Sequence, residues 1–158
     1  MNLDLFLIFL LGCAAAATTG IVFRPGAWYV ALRKPSFTPP NWAFPVAWSV
    51  IYLLSALAAS RVALLPGAGL ALALWAAQIA LNTLWTPLFF GAHRMALAMG
   101  VMVILTVVVA AMLVAFWRLD WLAGAMLLPY LGWLGVACGL NWRVWRDNPG
   151  AGADPAPR

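Results

Sequence analysis

Five apolar stretches dominate the chain, running approximately Leu3–Phe23, Trp42–Val62, Gly69–Phe90, Met95–Trp117 and Trp121–Val144. Each is close to the roughly 20 residues an α-helix needs to cross a hydrocarbon core of about 30 Å. None alternates in the way of a membrane barrel strand, and backbone groups in lipid must find their partners within the segment. The pattern therefore predicts an all-α integral membrane protein, a bundle of five transmembrane helices. The first stretch has no Lys or Arg ahead of it and stays apolar to Phe23, so it reads as a membrane helix and not as a cleaved signal. An odd helix number without an internal repeat argues against an inverted-repeat transporter.

Very short links join the second to the fifth span, which makes neighbouring helices antiparallel. The first link is different: Arg24 to Asn41 contains four prolines and three aromatic residues. A long loop with its own apolar side chains is expected to pack on the bundle as a lid. Residues 1–147 read as one membrane domain. The tail 148–158, mostly Pro, Gly and Ala, is expected to be disordered.

At about 100° per residue, three spans each carry one mixed aromatic and polar face. Asn41, Phe44, Trp48, Tyr52 and Ser55 share a face of the second, Gln78, Asn82, Trp85 and Phe89 of the third, and Tyr130, Trp133, Ala137 and Asn141 of the fifth. Turned inward, such faces would line an apolar cavity with a few hydrogen-bonding groups. Their competing use is packing, with Asn82 and Gln78 bonding between helices. Trp28, Trp42, Trp117, Trp121, Trp142 and Trp145 lie near span ends and read as an interfacial belt. The other side of the third span carries Gly69, Ala73, Ala76, Ala80 and Thr83, a small-residue face suited to close approach of a second protomer in a homodimer. The small run Gly12–Gly20 is expected to serve packing within the protomer. The fourth span, with only Thr106 as a mid-span polar group, reads as mainly lipid-facing.

Composition sharpens this picture. Hydrophobic residues make up 66% and charged residues 8% of the chain, against roughly 25% charged in a water-soluble domain. The formal charge of +5 sits at span ends, which points to membrane topology and not to nucleic acid. Arg24, Arg33, Lys34, Arg94, Arg143, Arg146 and Arg158 share the face of loop one and the C-terminus, whereas the opposite face holds Arg61 and Arg118. By the positive-inside rule, which concerns insertion into an inner membrane, loop one and the C-terminus are cytoplasmic and the N-terminus is outside. The absence of ionisable residues at mid-span disfavours a pump or ion-coupled carrier. A single histidine, His93, and no Cys-x-x-C spacing make a protein-held metal site unexpected. Cys13 and Cys138 both lie in apolar spans, where two buried small residues are favoured over a disulfide.

Particular motifs sharpen the reading further. Trp28-Tyr29, Lys34-Pro35, Pro39-Pro40, Trp42-x-Phe44-Pro45 and Trp48-x-x-x-Tyr52 resemble the first loop and second helix of the TspO/MBR family, which comprises tryptophan-rich sensory proteins and the translocator protein. Asn82-x-x-Trp85 with Phe89-Phe90 resembles its third helix. Pro129-Tyr130-Leu131-x-Trp133, Leu140-Asn141 and Trp145-Arg146-Asp147-Asn148 resemble its fifth helix and exit. The resemblance covers the chain apart from the tail. It implies a five-helix bundle, commonly dimeric, with a pocket beneath loop one for porphyrins such as protoporphyrin IX and for isoquinoline-type drugs. By position it implies that Trp48 and Trp133 contact porphyrin and take part in its light-dependent breakdown, that Asn82 is a polar pocket residue, and that Ala137 and Leu140 touch ligand and bear on sterol affinity. Tyr52 and Trp85 complete the expected binding set. Phe37 stands where the family has a loop-one Trp, and is carried over as a ligand contact. The basic residue that a sterol motif places within about five positions of its Tyr is missing, since Arg143 is the first after Tyr130.

Membrane binding of a tetrapyrrole, for sensing or transport and with no required cofactor, is thus the expected function. Arg24, Arg33 or Lys34 would pair with its carboxylates. The alternatives are light-dependent porphyrin degradation, in which the excited ligand supplies the chemistry, and a regulatory membrane partner that moves no substrate.

Overall fold

A computed structural model describes residues 2–153. It consists of α1 (Leu3–Val22), α2 (Ala27–Ala31), α3 (Ala43–Val62), α4 (Gly69–Thr86), α5 (Met95–Leu119), α6 (Trp121–Ala125) and α7 (Leu128–Asp147). Five segments are long and apolar enough to span a membrane: Leu3–Val22, Ala43–Val62, Gly69–Gly91, Met95–Leu119 and Trp121–Asp147. The protein is an integral, multi-pass membrane protein. α1 begins where Asn2 Oδ1 accepts from the amides of Asp4 and Leu5 at 3.0 and 3.3 Å, which satisfies donors that a first turn leaves free.

Two spans depart from simple helices, each at a proline. α4 runs into a π-helical turn, Pro87–Gly91, because Pro87 has no N–H to hold the regular ladder. The looser winding is closed by the Ala92 amide on the Pro87 carbonyl at 2.8 Å. The expected single fifth helix is broken into α6 and α7, with Pro129 in the first turn of α7, where its missing donor costs nothing. Asp120 caps α6 through the Leu122 and Ala123 amides at 2.9 and 3.3 Å.

The fourth span is not mainly lipid-facing. α5 buries a full stripe, Met95, Ala98, Val101, Met102, Leu105, Val109, Met112 and Phe116, and stands between α4 and α7. Val, Leu and Met serve lipid and core equally well, so nothing in composition marks the inward side. Gly12 of α1 receives the Trp75 ring, with an added Cβ falling 2.9 Å from it. The Trp75 indole donates to Ser55 Oγ at 3.0 Å. Both cysteines are free.

The segment 148–153, expected to be disordered, is tied to the bundle. The Trp28 indole donates to the Ala151 carbonyl at 2.6 Å, and the Ala153 amide to the His93 carbonyl at 3.0 Å. Residues 154–158, the rest of that expected tail, lie outside the described residues, as does Arg158 of the predicted basic face.

Candidate functional site

The three aromatic and polar faces converge at the loop-one end of the bundle and enclose a cavity of about 1000 Å³ between α1, α3, α4 and α7. This is at the top of the range of roughly 300–1,000 Å³ typical of small-molecule sites. Phe44, Trp48 and Tyr52 come from α3, Asn82, Trp85 and Phe89 from α4 and its π-helical end, and Trp133, Ala137, Leu140 and Asn141 from α7. Thus seven of the eight residues expected to bind ligand (Trp48, Tyr52, Asn82, Trp85, Trp133, Ala137 and Leu140) line one cavity. Phe37 does not. Its ring is about half exposed and lies over Gly139, 3.7 Å from where a Cβ would be.

Periodicity identified the inward faces but not depth along them. α3 descends from loop one while α4 and α7 climb toward it, so Ser55, Gln78 and Tyr130 all sit below the cavity. There they form a floor. Asn82 Nδ2 donates to the Tyr130 hydroxyl at 3.1 Å, and that hydroxyl donates to Gln78 Oε1 at 3.0 Å. Gln78 is 1% exposed and its Nε2 has no partner among the described residues. Tyr130 meets Trp48 edge to face at 6.0 Å. Trp133 meets Phe44 in the same manner at 5.6 Å. Trp85 is fixed at both ends: its indole donates to Asn141 Oδ1 at 3.2 Å, and its ring stacks on Phe89 at 5.0 Å. Asn141 Nδ2 in turn donates to the Met95 carbonyl at 2.9 Å.

The mouth is formed by loop one. Tyr29, Val30, Lys34 and Thr38 line it, together with Arg24 and Pro25. Lys34 Nζ is held by the Val30 and Leu32 carbonyls, both at 3.3 Å, and lies 4.5 Å above the Tyr29 ring centre. Arg24 Nε donates to the Ile21 carbonyl at 3.1 Å. Of the three cations considered for carboxylate pairing, Arg24 and Lys34 line the cavity and Arg33 does not. Burial pushes the phenol of Tyr29, at the rim, above its usual value. Beneath α2, Trp28 and Tyr29 pack on Phe89, and Tyr29 also on Phe90. The π-helical turn makes this possible by presenting two consecutive phenylalanines to one neighbourhood.

Sequence reasoning missed the contribution of α1. Ala16, Ala17, Thr19 and Gly20 form a cavity wall, in the run assigned to packing. Small residues give no chemical signal for a ligand wall, although the absence of bulk is what leaves the room. Trp28 and Trp145 are half-buried and pack against the buried Leu32, Phe89 and Val144, whereas Trp42, Trp117, Trp121 and Trp142 are exposed at span ends as a belt requires. Among the described residues no group of His, Cys, Asp and Glu could hold a metal ion.

A five-span bundle hollowed at one end between tryptophan-bearing helices defines a class of polytopic membrane protein, and comparison with known proteins says which family it is. Residues 5–146 match the TspO/MBR family. The chain is 54% identical over 154 residues to Protein CrtK of Rhodobacter capsulatus, covering 95% of this chain and 96% of that protein. It is 52% identical over 150 residues to the Tryptophan-rich sensory protein of Cereibacter sphaeroides, covering 94% and 95%. It is 41% identical over 133 residues to the Translocator protein of Sus scrofa, covering 78% and 76%. This chain belongs to the TspO/MBR family.

Proposed function

We propose that the protein binds a tetrapyrrole such as protoporphyrin IX in the cavity beneath loop one, as a membrane sensor or carrier, with loop one as the lid. The observation that carries this reading is the pairing of indole-lined walls with two cationic side chains at a single mouth. A porphyrin is a broad apolar disc with two carboxylates on one edge. Trp48, Trp85 and Trp133 would supply aromatic surface for the disc, and Arg24 and Lys34 at the mouth would turn from the backbone carbonyls they now meet to pair with the carboxylates. The cavity volume is ample for a ligand of that size. Isoquinoline-type drugs fit the same apolar walls, and a sterol is a weaker fit because the expected basic residue after Tyr130 is missing.

The test is titration of purified protein with protoporphyrin IX, followed by tryptophan fluorescence in the dark and then in light. Saturable quenching, weakened about three- to tenfold in Trp48→Phe and Trp133→Phe, is the expected result, because each ring contact is worth roughly 0.5–1.5 kcal/mol. Non-saturable quenching that neither substitution changes would mean that porphyrin only partitions into the micelle. The light arm addresses a second reading, porphyrin breakdown, which the presence of both Trp48 and Trp133 in the cavity wall favours. Product formed in light and lost when both are replaced by Phe would support it.

We further propose a cytoplasmic loop-one face, from its excess of Arg and Lys, and a homodimer through α4. Gly69, Ala73, Ala76 and Ala80 are exposed on that helix, and the Thr83 hydroxyl is turned back onto the Ile79 carbonyl at 2.8 Å, leaving a smooth small-residue face. Ala76→Cys and Ala80→Cys variants should crosslink in membranes. Failure of both to give a dimer would remove this proposal.

A further inference from the structure

Loop one is held down by apolar contacts on one side and by the C-terminal segment on the other. On the apolar side Trp28 and Tyr29 rest on Phe89 and Phe90. Among the described residues, hydrogen bonds tie the middle of the loop to residues beyond α7. Asn148 acts as a two-point clamp: the Arg33 amide donates to its Oδ1 at 2.8 Å, and its Nδ2 donates to the Arg33 carbonyl at 2.9 Å. The same Nδ2 donates to the Val144 carbonyl at 2.8 Å, so the clamp is seated on the last turn of α7. Three residues further on, the Ala151 carbonyl accepts from the Trp28 indole. The other face of this arrangement is His93, which stacks on Trp28 at 4.0 Å and 14° and whose carbonyl accepts from Ala153.

The backbone of the segment is shaped for this position. Gly150 has φ of +79°, a conformation that L side chains rarely adopt. A Cβ on Gly152 would lie 2.7 Å from the His93 carbonyl oxygen and 2.9 Å from the Met95 side chain. His93 itself has φ of +53°. Turn, tight approach and clamp therefore coincide within six residues that the sequence pattern alone reads as tail. Loop one carries the residues that line the mouth, among them Tyr29, Val30, Lys34 and Thr38, and the clamped residue, Arg33, lies in their midst.

We infer that the segment Asn148–Ala153 is a strap that holds loop one over the cavity, so that release of the strap opens the cavity from the loop-one side. This rests on loop one acting as a lid, and it extends that reading by naming the element that controls the lid. It also gives the sensing idea a physical output. Anything that competes for Asn148 or for the Trp28 indole, such as a partner protein that takes up the C-terminal segment, would change access to the cavity without touching its walls.

The test does not require the natural ligand. In a Cys13→Ala, Cys138→Ala background, Ala137→Cys places one thiol on the cavity wall, and its modification by a negatively charged methanethiosulfonate is timed in purified full-length protein. The comparison variants are Asn148→Ala and a chain ending at Asp147. Both should speed modification about tenfold or more, because each lost hydrogen bond shifts the closed–open balance several-fold. A control thiol from Leu64→Cys, exposed at the far end of the bundle, should react at an unchanged rate in all backgrounds, which separates local opening from general unfolding. Equal rates at Ala137→Cys with and without the strap would overturn the inference. Faster modification together with non-saturable porphyrin quenching would leave the strap standing and remove the porphyrin reading.

Discussion

The two ends of the bundle are built on different terms. Away from loop one, α1, α3, α5 and α6 meet through small residues: Ala56, Ala58, Ala59 and Ala123 are wholly buried. Gly124 lies so near α5 that a Cβ would fall 2.7 Å from the Trp117 Cα. An ion pair closes this end, with Arg61 and Asp120 at 2.6 Å. At the loop-one end aromatic rings replace the alanines and the helices part around about 1000 Å³ of space. Lipid tails are as apolar as leucine, so helices in a membrane are held by close packing and hydrogen bonds and not by hydrophobic burial. The far end has that packing. The near end gives it up around a cavity that loop one helps to line.

Adding one methyl group at each end is the most direct way to break this contrast. Gly124→Ala puts a Cβ against the Trp117 backbone, which has no flexible end to give way. A loss of about 1–3 kcal/mol is expected from such overpacking, read as a lower melting temperature in detergent. Gly139→Ala meets only the Phe37 ring, at an ordinary 3.7 Å. Its cost should be near zero, or a slight gain, since Ala favours a helix over Gly by up to about 1 kcal/mol. Equal melting of Gly124→Ala and the parent protein would mean that the far end is not where packing is tight.

The floor divides the two regimes, and Tyr130→Phe sharpens the boundary. The substitution keeps the ring against Trp48 and removes the hydroxyl between Asn82 and Gln78. Two buried amides then lose a partner, at a cost of about 1–3 kcal/mol. Because Tyr130 does not line the cavity, porphyrin affinity should stay within about threefold, roughly the effect of one modest contact. A large loss of affinity with unchanged melting would instead put Tyr130 in contact with ligand.

The same contrast explains what the sequence made legible. Asn82 was readable because a polar group inside a membrane is costly and needs a reason, and Trp48 and Trp133 because they lie deeper than an interfacial belt. Their helical spacing then put them on facing surfaces. The buried stripe of α5, from Met95 to Phe116, was not readable, since lipid and core take the same residues. Nor was the wall formed by Ala16, Ala17 and Gly20, which contributes by what it lacks. Trp28 read as a belt residue from its position at a span end, and only tertiary contact with His93 and Ala151 gives it another role. Phe37 was carried into the site by family position. Its ring lies over Gly139, so Phe37→Ala should leave porphyrin quenching unchanged.

The smallest expected effect concerns the ion pair at the packed end. Partial burial works to raise the Asp120 carboxyl, but the Arg61 guanidinium and the Ala123 and Leu122 amides outweigh it and hold the group below its ordinary value. Its folded pKa is therefore depressed, so its contribution to stability is full above the unfolded value of about 3.9 and is lost as pH falls through the lower folded value. Asp120→Asn keeps a side chain that caps α6 about equally well while removing the charge. At neutral pH the variant should be less stable by at most about 1 kcal/mol, as for an exposed pair. That difference should shrink as pH drops below about 4 and through the lower folded value, where the Asp120 carboxyl takes up its proton and is as neutral as Asn. The remaining carboxylates are common to both proteins and cancel. A gap that stayed constant down to low pH would mean that Asn fails as the cap of α6, and that the Arg61–Asp120 charge contributes nothing to holding the packed end shut.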